Sequence, residues 1–174
     1  IALLSGTLKS GTALVAFERN RRIARYPVRN GALGKPMGLI SLPAAARRTK
    51  SNTGLEAVTV MRGGPFRGAI LAFAEDLRDA NGHHTGWLLG RGAPKQLAYR
   101  DIGGFALTGA ASLDDGSVLI LERRFRMTEG VRMRLRFIPR NELKPGHVIE
   151  GEPLILSDMS YEIDNMEAVA VHKA

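Results

Sequence analysis

Cysteine is absent from the 174 residues, which excludes disulfide staples, thiolate metal sites and cysteine nucleophiles. Aromatic residues are scarce at 6% and show no spacing that would stack successive bases, which argues against nucleic-acid binding. Acidic residues are the minority charge, 17 Asp plus Glu against 25 Lys plus Arg, for a formal net charge of +8. That balance favours anionic partners as a class, phosphate esters and acidic surfaces among them. No apolar run approaches the ~18 residues that cross a bilayer, and Ile1 opens no basic-then-apolar leader. A G-x-S-x-G elbow is also missing, and no Ser, His and acid set can be picked out by spacing. A serine-hydrolase triad is therefore not expected.

What the chain does have is punctuation. Twenty glycines and 8 prolines separate short apolar runs at 12–17 (TALVAF), 54–61 (GLEAVTVM), 69–74 (AILAFA), 117–121 (SVLIL) and 148–156 (VIEGEPLIL). Most are rich in β-branched or large apolar residues and bounded by turn formers, the pattern of strands. Helical signals are confined to 43–49 (PAAARRT) and 140–144 (RNELK), which read as connectors. The fold class predicted is all-β.

An internal repeat organises these strands. An apolar run ending in glutamate occurs as ALVAFE at Glu18, ILAFAE at Glu75 and VLILE at Glu122. A second element recurs as GLEAVTV around Glu56, LTGAASL around Gly109 and NMEAVAV around Glu167. Each unit reads as a first strand, a hairpin turn such as Arg62-Gly63-Gly64 or Asp114-Asp115-Gly116, and a second strand ending in Glu. The second strands are apolar at nearly every position, so both sheet faces must be covered. Small sheets repeated at this period and buried by their neighbours on both faces are what a β-propeller requires. The expected blades are 1–51, 52–104 and 105–163, with the first strand of a fourth at 164–174. Propellers typically have about four to eight blades, so the chain is expected to be part of something longer.

Taken together, FERNRRIARYP (17–27), SNTGLEAVTV (51–60), LTGAASLDDGSVLILERRF (107–125), LKPG (143–146) and DNMEAVAV (164–171) resemble the phytase-like β-propellers, the family described by an esterase-like activity of phytase. The resemblance spans essentially the whole chain. It implies a bacterial periplasmic or secreted hydrolase of phosphate or other anionic esters, working at an acidic propeller channel. It also implies members longer than this chain at both ends.

In such a fold, residues at equivalent strand ends converge on one channel mouth. The repeat makes Glu56 and Glu167 equivalent, with Gly109 filling the third place, and Glu18, Glu75 and Glu122 equivalent to one another. Converging carboxylates repel, and a cation, an arginine or a raised pKa relieves the repulsion. Glu18, Glu56, Glu75, Glu122 and Glu167 are accordingly the candidate ligands for calcium, a hard cation suited to oxygen donors. Arginine forks match anionic oxygens, and Arg19, Arg22, Arg123 and Arg124, with Asp164 and Asn165, are the candidate substrate-binding residues. The competing reading is a non-catalytic binding propeller whose glutamates and arginines form structural pairs. Arg132, Arg134 and Arg136, at period two, are expected on a solvated outer strand. His83 and His84 are expected in an exposed turn, and Trp87 in a core between blades. Exposed sheet edges could associate if this piece folds alone.

Overall fold

The computed structural model describes residues 1–18, 21–48, 54–161 and 163–172. The chain is all-β among them, apart from one 3-10 turn at Ala46–Arg48. The first sheet contains β1 (Ala2–Gly6), β2 (Ser10–Phe17), β3 (Arg22–Arg29), β4 (Ala32–Leu33) and β5 (Gly38–Leu39). The second contains β6 (Leu55–Val60), β7 (Ile70–Arg78), β8 (His84–Leu89) and β9 (Lys95–Tyr99). The third contains β10 (Ala106–Ser112), β11 (Val118–Arg126), β12 (Gly130–Ile138) and β14 (Glu152–Ser157). Between the last two, β13 (Val148–Ile149) leaves the third sheet and pairs parallel with β9 at the edge of the second. All other pairings are antiparallel. The 140–144 segment forms turns, not a helix. No helix of the described residues is long and apolar enough to cross a membrane.

The apolar second strands find cover on both faces, as their composition requires. From the second sheet, Ile70, Ala72, Ala74, Trp87 and Leu89 pack with Leu14 and Ile23 of the first. Their alternates Leu71, Phe73, Leu88, Leu97 and Tyr99 pack with Leu107, Val118, Ile120 and Ile138 of the third. Period-two alternation thus feeds two cores from one sheet. Each fully buried large side chain contributes about 1.5–3 kcal/mol of transfer free energy. Trp87 lies in the first of these cores, where the sequence places it.

The turn at 114–116 forms as expected, closed by Leu113 N–H to Ser117 O at 2.8 Å and by Asp115 accepting from Ser117. The Arg62-Gly63-Gly64 element is different. It begins a longer connection from Met61 to Ala69, closed by Met61 N–H to Ala69 O at 2.9 Å. Gly63 there abuts the 114–116 turn so tightly that a Cβ would stand 2.1 Å from Asp114 O. Glycine is required at this contact because no side chain fits between the two turns.

Candidate functional site

Two strands and one terminal segment bring their ends together. β6, β10 and residues 164–172 each start at a common mouth and run away from it. Beyond the mouth, Leu3, Val58, Val60 and Val169, with Thr59, Arg62 and Ser112, line a cavity of about 180 Å³ that is more polar than apolar. The mouth itself is a cavity of about 360 Å³ lined by Glu18, Glu56, Glu75, Glu167, Arg123 and Thr108, with Ile1, Ala16 and Leu55. Four of the five predicted carboxylates therefore meet, together with one predicted arginine.

β-Bulges aim these side chains. The β6–β7 register shifts between Leu55 and Ala57, so Glu56 is the extra residue. The β10–β11 register shifts in the same way between Leu107 and Gly109, so Thr108 is extra. The β7–β8 ladder is broken between Phe73 and Arg78, the stretch that carries Glu75. An inserted residue bends its strand and turns its side chain out of the regular alternation, which is how residues of otherwise buried strands reach an open mouth.

The bulges also correct the equivalences drawn from the repeat. Leu55 pairs with Ala74 and Leu107 with Glu122, while Ala57 pairs with Phe73 and Gly109 with Leu121. Glu122 therefore occupies the place of Ala74, and Arg123 the place of Glu75. Likewise Thr108, not Gly109, stands where Glu56 stands. A one-residue offset in a strand exchanges its faces, so Glu122 points into the core while Arg123 reaches the mouth.

Glu122 is 1% exposed. It accepts from Tyr99 Oη at 2.7 Å, from Arg136 Nη1 at 3.1 Å and from Arg134 Nε. Arg134 and Arg136 are thereby buried, against the expectation of a solvated strand; only Arg132, more exposed, pairs outward with Glu129 at 3.2 Å. Arginines also strap the connector between β9 and β10 by its carbonyls. Arg136 donates to Arg100 O (3.0 Å), Arg134 to Ile102 O (2.8 Å), Arg124 to Gly103 O (2.7 Å) and Arg78 to Phe105 O (3.4 Å). Arg124 is committed there and to Glu129 at 2.6 Å, away from the mouth. Arg22 lies over the Phe17 ring at 4.0 Å, on the strand opposite. Asp164 accepts from Asn165 N–H, and the Asn165 amide donates to Glu167, so Asn165 orients a mouth carboxylate. Arg19 lies outside the described residues. His84 is in β8 and 1% exposed, not in an exposed turn. Burial, then the Arg78 charge, lowers its pKa to about 3.

The electrostatics of the mouth follow from its crowding. Burial, then the charges of Glu75 and Glu18, raises the Glu56 pKa to about 7. Burial also raises Glu75, while its hydrogen bond with Glu56 and the Arg123 charge work to lower it. One proton is thus shared by the pair and resides on Glu56. Thr108 was the mouth residue that repeat-reading missed; the signal was the direct alignment of LTGA on LEAV, which sets Thr108 on Glu56.

No protein of curated function and no solved structure matches the chain. The sequence model of the phytase-like family, described as "Esterase-like activity of phytase", matches residues 6–174. With that match across nearly its whole length, and with the acidic mouth its motifs build, the chain belongs to the phytase-like family.

Proposed function

We propose that this chain is a hydrolase of phosphate or other anionic esters, acting at the acidic mouth with the help of a divalent cation such as calcium. On this reading the three sheets are successive blades of a propeller, and β1, β6, β10 and the extended segment 164–172 surround its channel. The observation that carries the reading is the meeting of Glu18, Glu56, Glu75 and Glu167 with Arg123 in one cavity of about 360 Å³. Family membership supports a hydrolase of this class, and a periplasmic or secreted setting is proposed on the same ground.

The donor set suits a hard cation in its chemistry, being all carboxylate oxygen. As placed, no three His, Cys, Asp or Glu among the described residues are grouped closely enough to enclose an ion, so binding would require the side chains to draw together. Glu18, Glu75 and Glu167 are the residues that would hold it. When bound, calcium supplies positive charge that polarises an ester oxygen and acidifies water. Arg123 orients the substrate by pairing with an anionic oxygen. Glu56, protonated up to about pH 7, has a proton to give to the departing alkoxide oxygen.

Turnover of p-nitrophenyl phosphate and bis(p-nitrophenyl) phosphate, with millimolar calcium or with EDTA, tests this reading. The expected outcome is calcium-dependent release of nitrophenol, reduced ~10²-fold or more in kcat/KM by Glu75→Gln and raised in KM by Arg123→Gln. No turnover under either condition, or full activity in Glu75→Gln, would overturn it. A non-catalytic platform is the rival. The Glu122 cluster favours it to the extent that one predicted glutamate is purely structural, and it predicts no turnover at all.

A further inference from the structure

In the second sheet the mouth is entered by Leu55-Glu56-Ala57-Val58, and in the terminal segment by Met166-Glu167-Ala168-Val169. Between them β10 presents Leu107-Thr108-Gly109-Ala110. Both departures from the repeat have a partner in the neighbouring segment. Thr108, 2% exposed, donates its hydroxyl to Met166 O at 3.0 Å. Gly109 meets the next peptide along: a Cβ on it would stand 3.1 Å from Val169 N and 3.4 Å from both Ala168 Cα and its carbonyl carbon. Residues 164–172 belong to no strand ladder. Side-chain hydrogen bonds reach their backbone from Thr108 and, at 3.4 Å, from Arg62 to Val171 O.

We infer that Thr108 and Gly109 are positioning residues: the third sheet gives up its own mouth carboxylate in order to fasten the neighbouring segment and so hold Glu167 at the mouth. An ionised glutamate at 108 could not do this, because it has no proton to donate to a carbonyl and would repel Glu167 across the cavity. Threonine supplies the donor from a bulge, and the absent Cβ at 109 spares the segment a contact at 3.1 Å to which it would have to yield by a few tenths of an ångström. The consequence for catalysis rests on the hydrolase reading above; the fastening itself does not.

Limited proteolysis within residues 164–172 by a protease of broad specificity, read by mass spectrometry on the full chain, tests the inference, with cleavage in β7 as the measure of global stability. Thr108→Val is expected to speed cleavage in the segment ~3–10-fold, the factor for one net hydrogen bond, while leaving β7 uncut. Thr108→Ser keeps the donor and is expected to restore the wild-type rate. Gly109→Ala should loosen the segment by crowding Val169 N, and it decides the matter if Thr108→Val does not fold. Unchanged cleavage in Thr108→Val or Gly109→Ala, or a Thr108→Ser variant as loose as the valine, would overturn the proposal. Absence of ester hydrolysis in the wild type would sink the hydrolase reading and leave the proteolysis result standing.

Discussion

Glu56 keeps its proton to about pH 7 because burial strips solvent from its carboxylate and Glu75 adds like charge beside it. The sign of the resulting stability effect follows. Its folded pKa lies above the ordinary carboxylate value of 4.5, so its contribution is fully present below pH 4.5 and is lost as pH rises through 7. Above that, the ionised carboxylate is held in the mouth at a cost. Glu56→Gln should therefore melt higher than the wild type at pH 8, by ~2–4 °C, and at the same temperature at pH 4. The group is half-exposed and screened, which keeps the effect near the size of a single kcal/mol. Melting curves of both proteins across this range check it, and equal melting temperatures at pH 8 would show that the crowding is not felt.

At the scale of elements, the third sheet is tied to the second by charge as well as by apolar packing. One carboxylate, Glu122, answers Arg134 from the adjacent strand position and Arg136 two residues on, and it also takes the Tyr99 hydroxyl from β9 across the sheets. Removing one member of a buried ionic set leaves the others uncompensated at about 3–5 kcal/mol. Glu122→Gln is accordingly expected to lower the melting temperature by ~10 °C, whereas replacing all three ionic groups by apolar residues of similar volume should recover most of the loss. Thermal denaturation of both variants reads the difference. The repeat made Glu122 look like a partner of Glu18 and Glu75. Glu122 stands one residue earlier along its strand than Glu75, opposite Leu107 as Ala74 is opposite Leu55, and matching the two runs by their closing glutamate hides that offset.

For the molecule as a whole, the second sheet is the shared wall of two cores. Neither neighbour can leave it without exposing one complete apolar face, so loss of one core weakens the other. Trp87, the single tryptophan, sits in the core between the first and second sheets at 2% exposure. Its emission is expected to be blue-shifted in the native state and to move red in the same denaturant transition as the far-ultraviolet dichroism, which reports all three sheets. A tryptophan transition clearly preceding the dichroism would mean that the first sheet unfolds separately.

Composition and periodicity by themselves determined that this chain is all-β, that its second strands need cover on both faces, and that carboxylates recur where strands end. Those are local properties: period two, turn residues at fixed offsets, and apolar runs too dense for a half-exposed sheet. Tertiary structure alone decided which carboxylates share a mouth. That choice rests on single-residue bulges at Glu56 and Thr108 and on the broken ladder at Glu75. A bulge is selected by how a strand fits its neighbours, and moving one residue from one face to the other changes neither the composition nor the apolar count from which sequence reasoning proceeds.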